Sequence, residues 1–349
     1  METIHEIILG DSRELSFIKD NTIDLVVTSP PYPMIEMWDS LFSLLNPKVE
    51  KLLKSKKGED AFKLMHEELS NIWKELYRVL KKGGIVCINI GDATRKIDDK
   101  FQLYPNHAEI IRQMTRIGFH VLPLIIWRKP TNSPNKFMGS GMLPPNAYVT
   151  LEHEYILIFR KDGMRKIEDE DEKNRRYKSA FFWEERNKWF SDVWTDITGV
   201  SQFLNNSETR ERSAAFPLEL AYRLINMFSI YGDTILDPFL GTGTTILSAM
   251  IAGRNSIGIE IDQSLIKTIN TKIVQAPEIS HSIITQRIAN HEEFIKQQVK
   301  QGKNKHYYCS SLNFPVKTKQ ETDIVFYTIK EVIEEVHNKK WKCVYNKYP

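Results

Sequence analysis

The chain has 349 residues, of which 41% are hydrophobic and 27% charged, with a formal net charge of +3. That composition supports a large buried core, in one large α/β domain or two modest ones, and excludes a disordered chain. Its three cysteines, Cys87, Cys309 and Cys343, are far apart, which excludes a disulfide framework and a cysteine zinc site; no metal is expected.

Apolar runs rich in Ile and Val, bounded by Gly, Asp or Pro, recur at Glu6–Leu9, Ile23–Thr28, Gly84–Ile90, Phe119–Trp127, Glu154–Phe159, Thr234–Leu236 and Ser256–Ile261. They predict buried strands. Helical patterns lie between them. Leu69, Ile72, Trp73, Leu76, Val79 and Leu80 share one helical face, with a stop expected at Gly83-Gly84. Ile110, Ile111, Met114 and Ile117 share another, stopped by Gly118, and a third helix runs from Pro217 to Phe228. Alternating β and α predicts a doubly wound, mostly parallel α/β sheet.

Three stretches break this rhythm. Lys129 to Thr150 is a long segment rich in Pro, Asn and Gly, of the kind that usually has a function. Arg160 to Arg212 begins as a mixed charge run and turns aromatic from Phe181 to Trp194. From Ala276 onward the tail is rich in Lys and His, with a strand expected at Ile324–Ile329, a helix at Lys330–His337 and a strand at Trp341–Tyr345. The expected division is a main domain over 1–275, with 160–212 as an insert, and an accessory region over 276–349.

Four sites carry chemistry. Thr28-Ser29-Pro30-Pro31-Tyr32 lies at the carboxyl end of a strand, the edge where open α/β sheets bind ligands. An aromatic amine is a poor nucleophile because its lone pair is delocalised into the ring. Two acceptors aimed at its hydrogens localise that pair, and Ser29 Oγ with the Pro30 carbonyl can supply them. Pro30 and Pro31 stiffen the segment, and Tyr32 offers a flat face to a base taken out of a duplex. The plainer alternative is that Pro-Pro ends the strand and Tyr32 packs in the core. Asp237-Pro238-Phe239-Leu240-Gly241-Thr242-Gly243-Thr244-Thr245 follows another strand and opens a helix. Gly241 and Gly243 allow close approach of a ligand. The helix start at Thr244 favours an anionic group, and Asp237 can accept from an ammonium. No Gly-Lys-Ser/Thr follows, so this is not a Walker loop. Glu260, roughly 20 residues beyond the glycines, suits ribose hydroxyls, with Asp262 as a fallback. Asp11 can bond an adenine amino group or cap the next helix.

Thr28–Tyr32 resembles the catalytic motif of amino-methylating DNA methyltransferases, and Asp237–Thr245 resembles their cofactor motif. The catalytic motif comes first, as in the β class of that family, of the restriction–modification type. The resemblance extends through Glu75–Gly84, Ile88–Asp92, Ile125–Lys129, Glu152–Phe159 and Ala215–Ile225, covering most of positions 4 to 275. Arg212 departs from it, because many relatives carry His there. The resemblance implies a seven-stranded, Rossmann-like sheet with permuted motif order. It also implies S-adenosyl-L-methionine as cofactor and direct methyl transfer to a base flipped from double-stranded DNA, with no cysteine nucleophile. Ser29, Pro30, Pro31 and Tyr32 become the catalytic residues. Asp11, Asp237, Phe239, Gly241, Gly243, Thr244 and Glu260 become the cofactor residues. Serine at the head of the catalytic motif is usual for cytosine N4; adenine N6, where Asp or Asn is usual, is the alternative.

Readings from other classes are a non-catalytic DNA-binding regulator and a nicotinamide dehydrogenase. Ser29, Tyr32, Asp237 and Gly243, all intact, speak against the first, and the lack of an evident His–carboxylate relay against the second. The region 160–212 is the expected DNA reader, with 276–349 as the alternative. A cognate restriction endonuclease without a stable complex, a monomeric or homodimeric state and the cytoplasm of a bacterial or archaeal cell complete the expectations. No signal peptide is visible, and the longest apolar runs are too short to span a bilayer.

Overall fold

The structure is a computed structural model that describes residues 1–129, 138–198, 216–303, 307–337 and 339–348. The strands of the main sheet are β1 (Glu2–Leu9), β2 (Ile23–Thr28), β3 (Leu80–Ile90), β4 (Phe119–Arg128), β5 (His153–Lys161), β6 (Val193–Trp194), β7 (Thr234–Asp237), β8 (Asn255–Glu260), β9 (Tyr327–Val336) and β10 (Lys340–Lys347). They form one sheet in the order β6-β4-β5-β3-β2-β7-β8-β1-β10-β9. The block β3-β2-β7-β8-β1 is parallel throughout. β5 runs antiparallel to β3 and β4. The seven strands expected from the sequence make up the centre. β6, from the insert, extends one edge, and the β9–β10 hairpin, from the tail, extends the other.

Helices cover both faces, as a doubly wound sheet requires. On one face lie α3 (Gly58–Val79) and α4 (Asn106–Ile117), preceded by α1 (Asp39–Leu45) and α2 (Lys48–Lys54). α3 buries Phe62, Met65, Leu69, Ile72, Trp73, Leu76 and Val79 at three- and four-residue spacings. They pack against Val26 and Val86. After the insert helices α5 (Glu170–Lys178) and α6 (Trp183–Trp189), the opposite face carries α7 (Leu218–Phe228) and α8 (Thr244–Ala252). Leu220, Ile225, Ile246 and Met250 pack there against Leu25 and Val27. The central strands are therefore buried on both sides, which is why they read as unbroken apolar runs. α9 (Ile266–Val274) and the long α10 (Ala276–Lys300) follow β8.

Two expectations change. The helix before β3 ends at Val79, not at Gly83-Gly84, because Leu80 turns extended to enter the strand. Gly83 has φ +80°, and a Cβ there would lie 2.3 Å from the Arg165 backbone nitrogen. Gly83 thus makes room for a crossing chain. The tail contains no helix over Lys330–His337. That segment belongs to β9, apart from His337, which follows the strand. Register shifts between Ile329 and Glu331 and between Glu334 and Val336 break the two-residue alternation and leave Val332, Ile333 and Val336 at helix-like spacing.

A third apolar cluster joins insert and tail. Phe182 packs with Ile284, Ile288, Val316, Ile324 and Phe326.

Candidate active site

The carboxyl ends of β1, β2, β7 and β8 open onto one cleft of about 620 Å³. Ser29, Pro30 and Pro31 form part of its wall, together with Asp11. Asp237, Phe239, Gly241, Thr244 and Glu260 line the rest, beside Phe216 and Ile259. Two residues more than 200 positions apart in sequence are joined directly. The buried Asp237 carboxylate accepts from Thr28 Oγ1 and Thr245 Oγ1, each at 2.6 Å, and from the Phe239 N–H at 3.0 Å. Asp237 thus locks the end of β2 to the loop after β7, with two of these bonds on Oδ1 and one on Oδ2. Burial lifts its pKa to about 6.

Glu260 braces the glycine loop. One carboxylate oxygen accepts from the Gly241 N–H at 2.7 Å and the other from the Asp262 N–H at 2.8 Å. Burial raises its pKa. Each oxygen keeps acceptor capacity for a hydroxyl. Asp262 caps the short turn that follows by accepting from Ser264 N. Asp11 is paired with Arg13, whose Nε and Nη2 lie 2.9 and 2.7 Å from one of its oxygens, and Arg13 Nη1 reaches Glu68 at 2.7 Å.

Among the described residues, no side chain caps the start of α8, whose N-cap is Gly243 in the left-handed region at φ +82°. Its leading N–H groups suit an anionic group. Gly243 itself does not line the cleft. A Cβ there would lie 2.8 Å from Ile269 Cγ2 of α9, and the left-handed φ itself favours glycine.

Tyr32 also stays off the cleft wall. Its ring is buried in the α3-side core and packs against Gly91. Its hydroxyl donates to Glu154 Oε2 at 3.0 Å and accepts from Asn89 Nδ2 at 2.9 Å and from Ser29 Oγ at 3.2 Å. Burial, and then the nearby Glu154 charge, hold the phenol well above the ordinary tyrosine pKa, so it stays a donor. Asn89 Nδ2 also reaches Glu154 at 2.7 Å, and Lys129 Nζ closes the set at 2.8 Å. Among the described residues, the buried Asn89 Oδ1 has no hydrogen-bond partner. Asp92 and His107 lie nearby, joined at 2.8 Å, with His107 stacked on Tyr155.

Sequence reasoning gave no role to Asn89, Lys129, Glu154 or Arg13. The available signal was a single polar residue at the sheet's carboxyl edge: Asn89 is next to last in one apolar run and Glu154 begins another. Arg212 lies outside the described residues. All three thiols are buried and none lines the cleft. Among the described residues, no helix is long and apolar enough to cross a membrane.

Residues 23–271 of the chain match the DNA methylase family model. The chain belongs to that family and is a DNA amino-methyltransferase of the restriction–modification kind, with S-adenosyl-L-methionine as methyl donor. It is 57% identical over 328 residues to the type II methyltransferase M.MthZI of Methanothermobacter thermautotrophicus, covering 94% of this chain and 91% of that protein. M.MjaI of Methanocaldococcus jannaschii is 53% identical over 282 residues, covering 78% and 91%. Among solved structures, TTHA0409 of Thermus thermophilus, complexed with S-adenosyl-L-methionine, is similar at a TM-score of 0.61, with 31% identity, 78% of this chain and 95% of that chain covered.

Proposed function

We propose that this methyltransferase modifies the N4 nitrogen of cytosine, by direct transfer to a base rotated out of double-stranded DNA. The observation that carries the reading is that Ser29 and Pro30 share one cleft with Gly241, Thr244 and Glu260. The residues fit the cofactor: the uncapped start of α8 would take its carboxylate, Glu260 its ribose hydroxyls, and Phe239 and Ile259 its apolar contacts. When bound, S-adenosyl-L-methionine supplies an electrophilic methyl group. Ser29 Oγ and the Pro30 carbonyl hold the amine by its hydrogens, so that most of the rate comes from orientation. Serine at position 29, where a carboxylate or amide would suit adenine, supports cytosine.

DNA is held through its phosphates, and the insert 160–212 reads the sequence, although 199–212 lie outside the described residues. A cognate endonuclease shares that sequence. The test is mass spectrometry of nucleosides from DNA incubated with the protein and cofactor. N4-methylcytosine is the expected product; N6-methyladenine without it overturns the choice of base, and no methylated base at all favours a non-catalytic binder.

A further inference from the structure

Glu154 stands behind the catalytic loop, largely buried, with Lys129 Nζ 2.8 Å from one oxygen. Its other oxygen lies 3.0 Å from the Tyr32 hydroxyl and 2.7 Å from Asn89 Nδ2. An ionised carboxylate can only accept, so the Tyr32 proton must point at Glu154. Asn89 Nδ2, 2.9 Å from Tyr32 Oη, is a donor as well. The Tyr32 oxygen is therefore left to accept, and the Ser29 hydroxyl, 3.2 Å away, donates to it. A hydroxyl with its proton committed has only lone pairs to offer. Ser29 Oγ, on the cleft wall, meets a ligand as an acceptor.

We propose that Glu154 is a positioning residue that sets the direction of this chain, and that it receives the proton lost by the methylated amine. The inference rests on the reading of Ser29 as the group that holds the amine. As the amine nitrogen bonds to the methyl carbon, the carbon–sulfur bond breaks and its electron pair stays on sulfur. The nitrogen then carries one proton too many. That proton passes to Ser29 Oγ, the Ser29 proton to Tyr32 Oη, and the Tyr32 proton to Glu154 Oε2. The carboxyl group ends neutral and returns the proton to solvent after product leaves. The same polarity selects the base. A keto oxygen opposite Ser29 brings lone pair against lone pair, so the site prefers cytosine to uracil at the target position.

The full chain, E154Q, Y32F and the double variant test this. The readouts are single-turnover methylation, calorimetric affinity for S-adenosyl-L-methionine, and affinity for a substrate duplex against the same duplex with uracil for the target cytosine. E154Q and Y32F are each expected to slow methylation by about 10²-fold with cofactor affinity unchanged. The double variant should be no slower than the slower single, because both break one chain. The amino-over-keto preference should narrow in both, since the amide in E154Q lets the chain reverse and Y32F frees the Ser29 proton. Y32F keeps the buried ring, so it carries the test if E154Q does not fold. Multiplying losses in the double variant, or a wild-type rate and base preference in either single, overturn the proposal. S29A separates the two readings. If it methylates normally, the role of Ser29 itself falls; if it alone is impaired, that role stands and the Glu154 chain falls.

Discussion

Asp237 clamps the end of β2 to the loop after β7 with a buried carboxylate, and that has a pH signature. Its folded pKa of about 6 lies above the ordinary aspartate value of 3.8. The folded state binds this proton more tightly than the unfolded chain does, so the stabilisation it brings is full below about pH 4 and is lost as pH rises through 6. Urea unfolding from pH 4.5 to 7.5 should show the wild type losing stability relative to D237N as pH rises; parallel curves would remove the buried charge from the account. Gly243 answers a different question. Gly243→Ala should destabilise the fold by about 1–3 kcal/mol through Ile269, and Ile269→Ala in the same chain should recover part of it. Additive losses in denaturation would mean the two do not touch. Ser29→Ala is expected to lower turnover while calorimetry finds cofactor affinity intact. Ser29, Asp237 and Glu260 were legible in the sequence because each ends or follows an apolar strand at the ligand-binding edge. Asn89 and Glu154 were not, because their meaning lies in contacts 57, 65 and 122 residues distant along the chain. Tyr32 was legible as a flat face for a base or as a core ring; the ring packs in the core, and its hydroxyl contacts to Ser29, Asn89 and Glu154 were not legible.

At the scale of elements, α6 and α10 are tied by one guanidinium. Arg287 pairs with both oxygens of Glu185 at 2.6 and 2.7 Å, donates to the Tyr222 hydroxyl at 2.8 Å, and lies over the rings of Phe326, Trp189 and Tyr222. Removing one partner leaves the other charge buried. Glu185→Ala or Arg287→Ala is therefore expected to cost about 3–5 kcal/mol, read as a lower thermal midpoint; an unchanged midpoint would show the pair to be incidental. The central strands and the helices α3, α4 and α7 were legible because burial on fixed faces imposes a period. α10 was missed beneath its Lys, Gln and His content, although Ile284, Ile288 and Ile295 are buried along it. β9 was read as strand only up to Ile329, and from Lys330 onward as helix, because its bulges erase the alternation that marks a strand.

Across the whole molecule, residues around Phe182 and the tail from Ile284 to Phe326 share one core. A chimera that exchanges only 160–212 would separate Glu185 from Arg287 and Phe182 from its neighbours. Specificity is expected to move cleanly only when 276–326 is exchanged as well. Sequencing the DNA methylated by both chimeras checks this, and a stable single exchange with full transfer of specificity would refute it. The far edge of the sheet carries another demand. β1 lies between β8 and β10. Thr3 Oγ1 meets the Tyr345 hydroxyl at 2.8 Å, and that hydroxyl donates to the Met250 carbonyl at 2.6 Å. Of the ten strands in the main sheet, β1 is the first to be synthesised, yet its partners begin at Asn255 and Lys340. At about 5–20 residues per second it waits on the order of tens of seconds for either neighbour. Folding around the cofactor edge at Asp11 therefore completes only late in translation, and until then an apolar strand with two open edges is exposed to chaperones and to other nascent chains.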